Sequence, residues 1–563
     1  MQKLQIIFDI LKKLIDNPEI TTKEEFHKLK NEVYGHYKVS TWVNDISLLE
    51  KYREMIVKGE VSEEVRILKL LRKRAVRSLS WVSVVSILTK PWKCPGKCIY
   101  CPSFDNLPKS YIPNEPAVMR AELNAFDPIR QVHNRLRSLD ITWHNIDKCD
   151  IRIIGWTWSC YLPEYRENYI KDIYDAHSGY EELRKHIIST DTWSDRFASF
   201  KVDPWFSICK SATLEEAKAR NETALSRVIW IAVETRPDYV TVQDIISMRR
   251  FWVTRVEIWY QSTIDEINIL NKRGHTNKES IQATRLLKDA WIKVVAHMMP
   301  NLYGSDMEKD LSSLKRVFDD PDFRPDELKI YPMMVTANSE LTKIWEEWKF
   351  QPYSDEELVE LMAEMQALIP EYIRLNRMYR DIPATEILAW SHLANLRQIV
   401  DERMNQKWYA KKDISSREIR LKDNIPTDAQ IDVTEYDASK WKEYYLQFID
   451  PEDRTLFSHL RLRIPSYVFT WEQHFIPELQ DTAIIREVHT YGDQLKIWEK
   501  WDGTWQHMWF GKKLMKRAEE IVREKYPQVK KIAVIAWVGV RKYYEKNWFA
   551  LENEYMIKNI YEN

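Results

Sequence analysis

Val82-Ser-Val-Val-Ser-Ile-Leu88 runs through Thr89-Lys-Pro-Trp-Lys into Cys94-Pro-Gly-Lys-Cys98-Ile-Tyr-Cys101. The first seven residues carry the continuous apolar, β-branched pattern of a buried strand. Cys94, Cys98 and Cys101 then follow in CxxxCxxC spacing on the loop leaving that strand. Three thiolates so close together can hold three irons of a [4Fe–4S] cluster and leave the fourth iron without a cysteine. Structural zinc wants a fourth Cys or His at similar spacing, and none stands beside the motif. With 6 Cys in 563 residues there is no disulfide framework, so the clustering argues for metal in a reducing compartment.

From the cysteines to about residue 385, short apolar strands alternate with amphipathic helices. The strands are Ile151-Arg-Ile-Ile154, Val228-Ile-Trp-Ile-Ala-Val233, Arg255-Val-Glu-Ile258, Lys293-Val-Val-Ala-His-Met298 and Glu327-Leu-Lys-Ile-Tyr331. Helices are expected at 278–290 and 355–369. Repeated βα units predict an α/β fold with a parallel sheet, open or barrel-like. Past Pro383 the pattern turns antiparallel: strands at 456–463 and 482–489, a helix near 511–525, a strand at Lys531–Ala536 and a short helix at 540–546. A chain of 563 residues exceeds one hydrophobic core. The expected division is a helical region over 1–75, a barrel over 76–385, a linker over 386–430 and a second α/β domain over 431–563.

Lys and Arg number 84 against 85 Asp and Glu, a net charge of -1, so a nucleic-acid surface must be a local patch. The amphipathic stretch from Val65 to Arg77 supplies one, with Arg66, Lys69, Arg72, Lys73, Arg74 and Arg77 as candidate phosphate contacts. No apolar run approaches the roughly 20 residues that span a bilayer. The first residues lack the regions of a signal peptide, and a cytoplasmic address is expected.

Glycine is 11 of 563 residues, about 2% against a usual share of roughly 7%, while tryptophan is 24. Three helix-to-strand joints, at Trp252, Trp291 and Trp548, place Trp where a helix C-terminus favours glycine in the left-handed region. This points to tryptophans that are glycine in the natural protein, encoded by UGA in a source that reads it as glycine.

CxxxCxxC at the end of the first strand of a βα series resembles the radical-SAM superfamily. The resemblance implies that S-adenosylmethionine (SAM) chelates the open iron and is cleaved to a 5′-deoxyadenosyl radical. It also implies a site at the C-terminal ends of the strands, as in barrels generally. Ile154-Gly155-Trp156-Thr157 resembles the superfamily's Gly-Gly-x segment, which would place Gly155 and Thr157 against SAM. Glu234-Thr-Arg236-Pro-Asp238 ends a strand with charges able to hold its ribose and methionine ends. Gln506-His-Met-Trp509-Phe510-Gly511-Lys512 precedes a helix, and with glycine at 509 it becomes the Q-x-x-G-x-G diphosphate loop of the GNAT acetyltransferase fold.

Together these motifs resemble the family of the Elongator catalytic subunit, elongator protein three. Further matches include Lys90-Pro-Trp-Lys-Cys94, Asp147-Lys148, Lys272-Arg-Gly-His-Thr276, Lys329-Ile-Tyr-Pro332 and Arg380-Asp-Ile-Pro383. The resemblance implies a radical-SAM barrel followed by a GNAT domain. It implies conversion of the tRNA wobble uridine to 5-carboxymethyluridine, using acetyl-CoA, SAM and an electron donor. Lys148 matches a barrel lysine that contacts acetyl-CoA, and Tyr544 a tyrosine that reaches its sulfur; both are the expected catalytic residues. Glu487, Val488, His489, Thr490, Gln506, Phe510, Gly511 and Lys512 match the remaining acetyl-CoA contacts. Lys412–Glu418 lacks the cysteines of many relatives, so no zinc is expected there. The family carries glycine at Trp81, Trp143, Trp156, Trp230, Trp252, Trp259, Trp291, Trp348, Trp390, Trp509, Trp537 and Trp548. A protein lysine acetyltransferase with a structural radical-SAM domain is the alternative, and it would need no SAM cleavage.

Overall fold

The computed structural model describes residues 2–39, 43–71, 82–155, 157–194, 197–380, 382–389, 393, 395–419, 428–470, 472–491, 510–536 and 540–561. Seven strands form its first sheet: β1 (Ser83–Leu88), β2 (Lys148–Ile154), β3 (Arg227–Thr235), β4 (Val253–Gln261), β5 (Lys293–Met298), β6 (Glu327–Ile330) and β7 (Arg374–Arg377). They lie in sequence order, and every neighbouring pair is parallel. Each crossover passes over the same face, so the sheet curls into a barrel left open between β1 and β7. The outward side chains (Val85, Ile87, Ile151, Ile153, Ile231, Val233, Val256 and Ile258 among them) pack under the crossover helices in one continuous core.

The inner face is different. Asp150 and Arg152 on β2, Glu234 on β3, Arg255 and Glu257 on β4, Lys293 and His297 on β5, and Glu327 and Lys329 on β6 stand an even number of residues apart wherever a strand carries two of them. A period of two sends all of them into the lumen. Burying so many charges is tolerable only when they pair. They do: Arg255 Nη2 reaches both Asp150 oxygens at 3.0 and 2.9 Å, and Lys293 Nζ is 3.5 Å from Glu327.

The second sheet runs in the order β8 (Gln430–Ala438), β9 (Trp441–Ile449), β10 (Leu456–Ile464), β11 (Thr482–Thr490), β12 (Lys531–Val534), β14 (Tyr555–Asn559), β13 (Ala550–Glu552). All of its pairs are antiparallel except β11 and β12, which the helix Phe510–Lys525 connects as a crossover. β11, in the middle of the sheet, turns towards the N-terminal ends of the barrel strands. There Arg486 binds Asp326 through Nη1 at 2.7 Å and Nη2 at 2.6 Å, and Arg463 Nε binds Asp289 at 2.7 Å.

Four N-terminal helices, Gln2–Asp16, Lys23–Tyr37, Asp45–Val57 and Val65–Leu71, share a small apolar core of their own. Thr22 and Glu25 close the second helix with a reciprocal capping box. Arg53 ties this group to the barrel through Asp140, at 3.0 Å to the carboxylate and 2.8 Å to the carbonyl.

Two expectations change. The segment 386–430, read as a linker, is largely packed structure up to Ile419. Ile387–Ala389 pairs with Val335–Thr336, and the helix Leu396–Gln406 buries Leu396, Val400 and Met404 at fourfold spacing. The strand expected at Lys531–Ala536 ends at Val534, and the helix expected at 540–546 spans Arg541–Glu545.

Candidate active site

β1 ends at Leu88, whose backbone N–H and C=O are both bound at 2.9 Å by the Gln131 amide. The cysteine loop that follows is pinned at several points. Ile99 N–H donates to Asn271 O at 3.3 Å, Leu341 N–H to Ile99 O at 2.8 Å, and Ile99 and Tyr100 bury against Ile267, Leu302 and Met333. This anchoring presents Cys94, Cys98 and Cys101 at the C-terminal rim of the barrel. Cys98 is buried, and the other two are half-buried.

Cations surround the thiols. Arg273 Nη1 donates to Cys98 Sγ at 3.2 Å. A hydrogen bond from Cys101, with the Arg273 charge behind it, brings the Cys98 thiol down to about 4 against the cost of burial, and the same bond raises Cys101. Arg236 grips Asp238 through Nε at 2.9 Å and Nη2 at 2.8 Å, but its buried Nη1 has no partner. That nitrogen is turned on Gly96, where a Cβ would lie 2.5 Å from it and 3.3 Å from Cys94 Sγ. Only glycine permits this approach.

Gly155 ends β2 beside this loop at φ +128, and a Cβ there would meet Thr89 Oγ1 at 2.6 Å. Thr157 is fully buried with no hydrogen-bond partner at Oγ1. Three thiols, an unpartnered guanidinium nitrogen and an unpartnered hydroxyl at one rim suit an anionic cluster and a ligand with polar ends. Trp156 lies outside the described residues.

Below this rim, Glu257 accepts from His297 Nε2 at 2.9 Å and from Lys329 Nζ. Glu234 faces Glu257 and receives a 3.4 Å contact from Tyr111. Burial first, then the Glu257 charge, raises Glu234 to about 8, while Lys329 and His297 hold Glu257 well below the carboxylate range against its own burial. Glu234, Glu257 and His297 bring their polar atoms close together, and the Lys329 ammonium pairs with Glu257 among them.

The remaining expected residues lie away from the thiols, at the start of β2 and around β11 of the second sheet, with Tyr544 on a separate short helix. Lys148 opens β2, half-buried, with its ammonium pKa lowered by burial. Glu487 meets Lys293 at 2.8 Å, Arg461 Nε at 3.0 Å and His459 Nε2 at 3.2 Å. Gly511, near the start of the helix Phe510–Lys525, faces Val488 and Thr490, with 3.8 Å from its ideal Cβ position to each. Phe510 packs on Phe448, Lys512 is exposed, and His489 stacks on His459. Tyr544 is buried against Tyr543 and Phe549. Gln506 lies outside the described residues. The two groups are separated by the length of β2, about 20 Å at the usual rise per residue.

In the basic stretch, Lys69 is exposed, but Arg66 is spent on the first helix: its guanidinium binds the carbonyls of Leu14, Asn17 and Ile20 at 3.0–3.2 Å. Arg72, Lys73, Arg74 and Arg77 lie outside the described residues. The sequence reading did not place Arg273, Glu257, His297 or Lys329 in the site. For Glu257, His297 and Lys329 the signal was present as charges at even spacing within otherwise apolar strands, whereas Arg273 lies on the loop before the helix Asn277–Asp289. Cys160 was also missed: it lies close enough to Cys94 for that charge, after burial, to help raise its thiol to about 12.

An open parallel barrel bearing a three-cysteine loop at its C-terminal rim defines a radical-SAM protein, and the family model of the Radical_SAM C-terminal domain matches residues 325–406. The chain is 35% identical over 558 residues to the tRNA uridine(34) acetyltransferase of Methanocaldococcus infernus, covering 96% of each. It is 31% identical over 578 residues to Elongator complex protein 3 of Danio rerio, covering 99% of this chain and 97% of that one. The solved structure of archaeal Methanocaldococcus infernus Elp3 with an N-terminal deletion (1-46) aligns with TM-score 0.68 and 32% identity, over 86% of this chain and all of that one. The chain belongs to the family of the tRNA uridine(34) acetyltransferases and Elongator complex protein 3.

Proposed function

We propose that this protein modifies the wobble uridine of tRNA, forming 5-carboxymethyluridine from acetyl-CoA with a [4Fe–4S] cluster and SAM. The observation that carries the reading is the thiol loop flanked by Arg236 and Arg273, in a chain alignable almost end to end with relatives named for tRNA uridine(34). Cys94, Cys98 and Cys101 would hold the cluster; when bound, it and SAM supply a carbon-centred radical. The free nitrogen of Arg236 and the free hydroxyl of Thr157 are suited to the polar ends of SAM, and Gly155 leaves room for its approach. The second sheet would act as the GNAT domain, with Glu487 to Thr490 and Phe510 to Lys512 around acetyl-CoA and Lys148 approaching from the barrel. Lys69 and its basic neighbours in sequence would take tRNA phosphates, and an anticodon base must leave its stack to be reached.

The separation of the two groups of residues assigns a task to the carrier: the acetyl unit has to travel from β11 to the thiol rim. Anaerobic reconstitution with tRNA, SAM and acetyl-CoA, followed by nucleoside mass analysis, tests the reading. The expected product is carboxymethyluridine, absent when Cys98 is replaced by Ala. Acetylation of protein lysines without SAM cleavage, and with no modified nucleoside, overturns it.

A further inference from the structure

Six tryptophans adopt the left-handed backbone: Trp143 (φ 60), Trp252 (68), Trp291 (76), Trp348 (59), Trp408 (57) and Trp548 (69). Among the described non-glycine residues in that region, Trp is the most frequent type, ahead of the five asparagines Asn106, Asn114, Asn301, Asn338 and Asn553. Asn tolerates the conformation because its short side chain bonds locally, whereas a bulky residue there is an outlier.

The six share one location. Each follows the end of a helix, and each N–H closes on a carbonyl three residues back: Trp143 on Asp140, Trp252 on Arg249, Trp291 on Lys288, Trp348 on Trp345, Trp408 on Asn405 and Trp548 on Glu545, at 2.9–3.2 Å. In five of them the next N–H reaches five residues back as well: His144 to Leu139, Ile292 to Leu287, Lys349 to Ile344, Tyr409 to Met404 and Phe549 to Tyr544. This double closure is the Schellman motif, and its left-handed position belongs to glycine. Side-chain packing does not account for the choice at three of the six, whereas Trp252 and Trp291 are buried and the Trp291 indole donates to Ile485 O. Trp348, Trp408 and Trp548 are 83%, 93% and 77% exposed, although tryptophan is highly buried on average.

We infer that the natural polypeptide carries glycine at Trp143, Trp252, Trp291, Trp348, Trp408 and Trp548, encoded by UGA codons that its source reads as glycine. The composition agrees, with 11 glycines and 24 tryptophans in the whole chain. Trp408 is a case that the sequence pattern alone did not single out. The same decoding extends to Trp156 and Trp509, both outside the described residues. There it gives Gly155 a glycine neighbour and places a second glycine two residues before Gly511 in sequence.

Peptide mass mapping of the protein isolated from its source tests the inference independently of any activity. The expected peptides carry glycine at all six positions, and the coding DNA shows TGA there. Peptides containing tryptophan at these positions, or TGG codons, overturn it. A second measurement uses the full chain expressed with tryptophan at these positions. The joint replacement Trp348→Gly, Trp408→Gly and Trp548→Gly is expected to raise the Tm by roughly 2–4 °C, by removing three strained, solvent-exposed positions. An unchanged or lower Tm would show that tryptophan is compatible with these turns and would remove the conformational argument.

Discussion

Arg273 shows how one side chain sets the chemistry of the thiol rim. Its guanidinium stands 3.2 Å from Cys98 Sγ and also donates to Trp259 O at 2.9 Å, so its direction is fixed. Replacing it with Gln keeps a donor but removes the charge. An opposite charge at this distance is worth about 1–3 pH units, so Arg273→Gln should raise the pH at which Cys98 becomes alkylatable in the cluster-free protein by at least about 1 unit. A pH profile of iodoacetamide labelling, with peptide mapping, reads this directly; an unmoved profile would leave the Cys101 hydrogen bond and the Arg236 charge as the causes. Glu234 gives a second test. Burial and Glu257 raise its carboxyl to about 8 from the roughly 4.3 of an unfolded chain. Between these values the folded protein holds a proton that the unfolded chain has lost, so stability is full below pH 4.3 and declines as pH rises towards 8. Glu234→Gln cannot titrate and should flatten that decline, as denaturation midpoints at pH 5, 7 and 9 would show.

At the scale of elements, Arg66 and Lys69 lie one helical turn apart yet do different work. Arg66 satisfies Leu14 O in the last turn of the first helix, which lacks an intrahelical partner, and Asn17 O and Ile20 O in the loop after it. Arg66→Ala should therefore destabilise the N-terminal helices by about 1–3 kcal/mol, read as a lower first transition in thermal melting. Lys69→Ala should leave melting unchanged and lower tRNA affinity, with a salt slope smaller by nearly one unit. The sequence could not separate the two, because both are basic residues on one amphipathic stretch and the acceptors of Arg66 lie about fifty positions upstream. The barrel strands were legible for the opposite reason: Val228–Val233 and Lys293–Met298 keep their outward apolar residues even where the lumen side is charged. β7 escaped, since Arg374-Leu-Asn-Arg377 is short and polar and becomes a strand only by pairing with β6. β8 escaped likewise; its alternation in Gln430–Ala438 is that of an edge strand with one face in water. The cysteine loop was readable because its chemistry is local, whereas Glu257, His297 and Lys329 become neighbours only after three strands align.

The whole molecule turns on how the barrel and the second sheet are joined. Their junction is a layer of buried ion pairs, and Lys293–Glu487 links the barrel lumen to β11, at which acetyl-CoA is proposed to bind. Glu487 is held well below the carboxylate range: its burial acts to raise it, and Lys293, His459 and Arg461 together overcome that. A carboxylate depressed in this way contributes stability above its unfolded value of about 4.3, and that stability is lost as pH falls through the folded value. Lys293→Met removes the nearest cation and leaves Glu487 to Arg461 alone among fixed charges, while Glu327 loses the ammonium 3.5 Å away. Breaking a buried pair from one side typically costs about 3–5 kcal/mol, so the variant should unfold at a higher pH on acidification and at a lower temperature at neutral pH. Lys293→Met with Glu487→Gln removes both charges and should recover part of the loss. Recovery in the double variant, followed by tryptophan fluorescence during acid titration, would identify the pair as a coupled joint. If the double variant is as unstable as the sum of the two singles, the two residues act independently, and the layer around Arg486 and Asp326 carries the junction alone.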